Sequence, residues 1–169
     1  MAKPDTTKTA SEGEELRTQL AALLDGGQAH ATFAEAVKGF PRELRGVVPE
    51  GLPYSAWQLL EHIRITQRDI LDFSAPPTGG YHELKWPEGY WPKESVPESA
   101  DAWDRSVKTI EADLEKFKEL ILKPGADLAK PFRWGTGQNL LREALLVADH
   151  NAYHIGEMIL LRRLLGAWK

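Results

Sequence analysis

The stretch from residue 138 to residue 168, QNLLREALLVADHNAYHIGEMILLRRLLGAW, limits the possible folds more than any other part of the chain. Its apolar residues recur at helical spacing. Leu140, Leu141, Leu145, Leu146, Val147, Ile155, Ile159, Leu160 and Leu164 cover most of the circumference, so much of this predicted helix is expected to be buried. His150 and His154 stand four residues apart within it, which puts both imidazoles on one face, a turn apart. That is how a helix offers two nitrogens to one metal ion. A buried imidazole needs partners for both ring nitrogens, and a metal backed by further acceptors supplies them.

Three more helical segments precede it. Leu16, Leu20, Leu23 and Leu24 begin a pattern near Glu14 that resumes through Phe33, Ala36, Val37 and Phe40. Gly26-Gly27 interrupts it, so one helix with a break is expected there. Ser55-Ala56-Trp57-Gln58 has the form of a capping box for a second helix, Ser55 to Phe73. His62 lies in its middle, and Thr66 and Asp69 fall within about 40° of it on the wheel. Ser95-Val96-Pro97-Glu98 is a second cap signal. It predicts a third helix over 98–122, with Trp103, Val107, Ile110, Leu114, Phe117 and Ile121 on one stripe. Asn139 or Thr136 can cap the last helix. Four long helices and no credible strand make an all-α chain, a four-helix bundle with long connecting loops.

The connections differ in character. Residues 74–97 are rich in proline yet carry Tyr81, Trp86, Tyr90 and Trp91, and so many aromatics argue for order. This loop is expected to pack across the bundle. His82 within it reads as a surface residue, and His30, just past the glycine pair, as a polar or partly buried one. Residues 1–11 read as a disordered tail, and 12–169 as a single domain.

Composition excludes several classes of function. With no cysteine, there can be no disulfide, no thiolate metal ligand and no cysteine nucleophile. A net charge of -4 and the lack of a basic tract give no footing for nucleic acid. No run is long and apolar enough for a membrane span, and the start of the chain lacks the apolar core of a signal peptide, so a cytoplasmic protein is expected.

The chemistry therefore rests on histidine. His62, His150 and His154 can form a three-nitrogen site between facing helices. Zinc and nickel suit such a site best, and iron is also compatible. Glu143 and Glu157 lie seven residues either side of His150, within about 20° of it on the wheel. With Asp69 they are candidates for supporting acceptors or an outer base; pairing with Arg142 or Arg163 is the alternative for the two glutamates. The zincin pattern fails, because Asn151 stands where glutamate is required. No G-x-S-x-G elbow occurs, nor does a G-K-[ST] phosphate loop.

Two stretches carry a family resemblance. Ala144–Gly166, with the two histidines, resembles the terminal helix of the DinB-like (DinB/YfiT) superfamily. Ser55–Arg64 resembles the segment that bears that family's first histidine, and Trp86-Pro87-Glu88-Gly89-Tyr90-Trp91-Pro92 is similar to a loop of one subgroup. The resemblance spans residues 12–168. It implies a four-helix bundle, commonly a homodimer, with a metal held by His62, His150 and His154. It further implies an enzyme that activates a thiol or water, first of all an S-transferase joining a low-molecular-weight thiol such as bacillithiol or mycothiol to a small electrophile. A metal-dependent hydrolase, with Glu143, Glu157 or Asp69 near a bound water, and a non-enzymatic metal-binding stress-response protein are the alternatives.

Overall fold

The computed structural model describes residues 6–168, with side chains from Gly13 onward. It holds five α-helices: α1 (Thr6–Asp25), α2 (Phe33–Val37), α3 (Ala56–Ser74), α4 (Ala102–Leu122) and α5 (Leu140–Leu164). Among the described residues no strand forms, and the one β-bridge, Pro131 with Asn139, is isolated. No described helix is long and apolar enough to cross a membrane.

The first helix breaks where the glycine pair stands. Gly26 and Gly27 take φ of 70° and 74°, a left-handed conformation that side chains resist. The chain restarts at Thr32, which forms a capping box with Glu35 to open α2. Of the predicted first stripe, Leu20 and Leu24 are buried, whereas Leu16 and Leu23 face solvent. The helix also starts earlier than expected: residues 6–11, read as tail, are part of α1, because nothing in that stretch breaks helix propagation. Residues 1–5 of the expected tail lie outside the described residues.

The Ser55–Gln58 capping box is present at α3, and Asn139 caps α5 through Arg142 N at 2.9 Å. The second predicted cap is not. Ser95 instead gives its carbonyl to Ser55 Oγ (2.6 Å), and α4 starts four residues later than Glu98, at Ala102. Ser95 is held to α3, so it is unavailable to start another helix.

Side-chain bonds set the helix directions. Glu61 with Ser106, Gln67 with Ile110 and Arg68 with Asp113 advance together, so α3 and α4 run parallel. Asp25 pairs with Lys118, and Arg17 bonds the Ile121 carbonyl, so α1 runs against α4. α5 runs against α3. A parallel α3–α4 pair forces the intervening chain to travel back the length of α3, about 28 Å for 19 residues. Residues 75–101 do so as a strap along α3, tied in succession by Tyr81 to Asp69, Tyr90 to His62, Pro92 to Gln58 and Ser95 to Ser55.

Two apolar clusters fill the bundle. One gathers Trp57, Leu60, Ile63, Trp103, Ile110 and Met158, and the other Leu20, Ile70, Phe117, Ile121 and Val147. α5 is less covered than its sequence implies: Leu145, Tyr153, Leu160 and Leu164 are 49%, 64%, 49% and 54% exposed. A helix apolar all round needs a neighbour on every side; α5 packs against α1, α2, α3 and α4, and these four residues lie on the face those helices leave uncovered.

Candidate metal centre

Gln67 connects the three helices that frame the site. Its Nε2 donates to the Ile110 carbonyl of α4 (2.7 Å), and its Oε1 accepts from Asn151 Nδ2 of α5 (2.8 Å). This register sets His62 of α3 opposite the His150–His154 pair of α5. The Nε2 atoms of His62 and His154 are 3.1 Å apart, and those of His150 and His62 are 3.2 Å apart. His62 and His154 are 4% and 7% exposed, and His150 is half-buried.

The outer nitrogens reveal what the inner ones present. His62 Nδ1 is 2.9 Å from the Tyr90 carbonyl, which can only accept, so the proton is on Nδ1. His154 Nδ1 is 2.7 Å from Glu157 Oε2, and that carboxylate likewise takes an N–H. His62 then points a bare Nε2 lone pair inward, and the same hydrogen bond at His154 turns its Nε2 inward to meet it. Two lone pairs 3.1 Å apart repel. A proton on His150 Nε2 could bridge to His62 and would leave the His62–His154 contact as it was. A cation relieves both. Two nitrogens about 2.0–2.1 Å from one ion lie roughly 2.9–3.4 Å apart for angles of about 90–110°. The observed separations fall in that range, and the three residues could form a metal site.

Burial keeps two of the rings, His150 and His62, in their ligating form. Desolvation pushes His150 down to about 3, and its two histidine neighbours add to the effect. His62 is lowered mainly by desolvation, against the opposing bond to Tyr90. Trp91 covers one face of His62 with ring centroids 3.9 Å apart and planes 5° from parallel, and Tyr54 stacks on the far side of Trp91 at 5.3 Å. Water is thereby kept from that side.

Residues 27–158 match the model of the DinB superfamily. The chain belongs to the DinB superfamily. No curated protein and no solved structure gives a match. The all-helical bundle agrees with this membership, and the structure brings together His62, His150 and His154.

The three carboxylates singled out in this DinB-family chain occupy different places. Glu157 touches the cluster through His154, not through Arg163. Asp69 accepts from Tyr81 Oη (3.0 Å) and Tyr90 Oη (2.9 Å), so it meets the cluster only through the strap. Burial raises its pKa, and the two tyrosine bonds oppose that. Glu143 is 2% exposed and paired with Arg142 at 2.7 Å. It lines a cleft of about 460 Å³ with Asp69, Phe73, Tyr81 and Trp134, two turns from His150. A cavity of about 590 Å³ opens between α3 and α4 beside Trp57, Glu61 and Arg105, and the histidines do not line it. His82 is exposed, as read from the sequence; His30, read as a polar or partly buried helix residue, is exposed as well and lies in the break between α1 and α2.

Sequence reasoning missed Tyr90, Trp91, Tyr54, Gln67 and Asn151 as parts of the site. The aromatic density of residues 74–97 was the available signal for the first two. Nothing in the sequence marks a backbone carbonyl as the acceptor for His62.

Proposed function

We propose that this protein is a metal-dependent enzyme in which His62, His150 and His154 hold a divalent transition ion, and that it transfers a low-molecular-weight thiol to a small electrophile. The observation that carries the reading is the convergence of three histidine Nε2 atoms, two of them on rings oriented by a bond at the opposite nitrogen. Zinc or nickel suits three imidazoles, and iron is compatible with them. Bound there, such an ion supplies positive charge that lowers the pKa of a thiol.

The rest is the work of the chain. The Tyr90 carbonyl and Glu157 hold two rings in the ligating tautomer. Trp91 shields one side of His62. Thr66 Oγ1, one turn from His62, is buried without a partner among the described residues, as are His150 Nδ1 and Asn151 Oδ1. Such atoms offer polar contacts to a small molecule beside the histidines. In the reaction the thiol releases its proton to solvent, its sulfur bonds to the electrophilic carbon, and the leaving group departs with the bonding electrons.

Metal-dependent hydrolysis at the same residues is less well served. It calls for a carboxylate free to take a proton from water. Glu157 is committed to His154, Asp69 to two tyrosines and Glu143 to Arg142. A thiol starts at a pKa of about 8.5, far below that of water, so a modest lowering by positive charge lets it lose its proton to solvent without such a base.

The test is elemental analysis of protein purified without an affinity tag, with His62→Ala alongside, followed by a panel of low-molecular-weight thiols and an electrophile. About one ion per chain, lost in the variant, and a thioether detected by mass spectrometry are expected. No metal after reconstitution removes the reading. A loaded protein that cleaves esters or amides and forms no thioether is a hydrolase, and one that does neither is a non-enzymatic metal-binding protein.

A further inference from the structure

Asp69 follows His62 by seven residues on α3, which returns a helix to nearly the same face about 10.5 Å further along. The strap crosses that face, and Tyr90 spans it. Its carbonyl accepts from His62 Nδ1 at 2.9 Å, while its hydroxyl donates to Asp69 Oδ2 at 2.9 Å. Tyr81 donates to the other oxygen, Oδ1, at 3.0 Å. Both oxygens of one carboxylate are thus held by phenols from the strap. The Tyr90 phenol is pushed up to about 12 by burial and by Asp69, and Tyr81 is raised for the same reasons, so both remain protonated donors at neutral pH. Bonds to a charged acceptor are among the stronger hydrogen bonds in a protein. Trp91, the next residue, lies on the His62 ring. Strap, carboxylate and histidine form one connected unit.

We propose that Asp69 is a positioning residue for His62. By anchoring Tyr81 and Tyr90 it holds the Tyr90 carbonyl against His62 Nδ1 and Trp91 against the ring, and so selects the tautomer that leaves Nε2 free for a metal ion. The last clause rests on the three-histidine reading. The tautomer itself is a property of the metal-free protein and can be measured there. On this account Asp69 influences the chemistry without touching substrate, and the long strap belongs to the site instead of merely connecting two helices.

The experiment uses the full chain at pH 7.5. Imidazole ¹⁵N NMR of the metal-free protein reads the His62 tautomer, and a chromophoric chelator competing for zinc reads affinity. Wild type is expected to show Nδ1 protonated and Nε2 bare. In Asp69→Ala the His62 signals should move to a mixture of tautomers, and zinc affinity should fall 10- to 100-fold, the usual range for loss of a group that orients a ligand. Asp69→Asn keeps one acceptor oxygen and should lie between them. Asp72→Ala, which removes a carboxylate from the same helix, is the control and should match wild type. If Asp69→Ala does not fold, the double variant Tyr81→Phe/Tyr90→Phe removes both donors and leaves the carbonyl in place, with the same expectation. A pure Nδ1–H tautomer in the folded variant, whatever its affinity, overturns the proposal. A tautomer shift in a protein that binds no zinc at all upholds the positioning role and removes the metal reading.

Discussion

Glu157→Gln separates the charge of the group that orients His154 from its shape. Oε2 of Glu157 lies 2.7 Å from His154 Nδ1, and the Glu157 side chain is 23% exposed. Glutamine has the same length and keeps an oxygen able to accept the N–H, so the change removes charge and little else. A hydrogen bond to a charged group contributes about 1.5–3 kcal/mol and a neutral one about 0.5–1.5 kcal/mol. The difference is roughly 1–1.5 kcal/mol, and about 1.4 kcal/mol is tenfold in binding. Metal affinity should therefore drop about 5- to 10-fold. Glu157→Ala removes the acceptor entirely and should cost about 10- to 100-fold, toward the lower end because solvent reaches the site. Glu143→Gln is the internal control. It sits the same seven residues from His150 on the other side, but its partner is Arg142. It should change the affinity of the folded protein less than about twofold, since the bond it alters lies outside the cluster. Competition with a chromophoric chelator gives the affinities, and thermal unfolding of the metal-free forms separates folding effects. Equal losses from the two glutamine variants, or unchanged binding in Glu157→Ala, would refute the reasoning.

Two further outcomes follow from the same geometry. Burial holds His150 down to about 3 in the folded chain, against an ordinary value of 6.5, so the unfolded chain takes up a proton first as pH falls. The stability present above pH 6.5 is lost progressively toward pH 3, by about 1.4 kcal/mol per pH unit for one such group. Denaturant titrations of metal-free protein between pH 7 and 5 should show this slope in wild type and a shallower one in His150→Asn, and matching slopes would count against the assignment. Should two copies pair through the exposed apolar face of α5, Leu160→Asp would weaken association by about tenfold or more, because a carboxylate would have to be buried there. Sedimentation equilibrium checks this, and wild-type protein that remains monomeric at high concentration rules out the dimer.

Most of the secondary structure could be read from residue spacing, because a helix's apolar period and its caps are local properties. The Ser55–Gln58 box, the Asn139 cap and the Gly26-Gly27 break all depend on neighbours within a few residues. The His150–His154 pair was legible for the same reason, since four residues of helix carry one side chain onto the face of another. Ser95–Glu98 shows the limit: the motif fits a cap, but a bond to Ser55, forty residues away, holds Ser95 elsewhere.

The sequence by itself determined which residues could ligate a metal and on which face of each helix they stand. Only the tertiary structure decided which of their neighbours would serve them. On the helical wheel Glu143 and Glu157 are equivalent about His150, yet one pairs with Arg142 and the other with His154. Asp69 read as a candidate base and is instead held by two strap tyrosines. The parallel packing of α3 and α4 makes the difference, because it sends residues 75–101 back along α3 and brings a backbone carbonyl and a tryptophan ring to His62. Local periodicity carries no information on whether two packed helices run parallel or antiparallel. That is settled by how the apolar faces pair once the whole chain is folded.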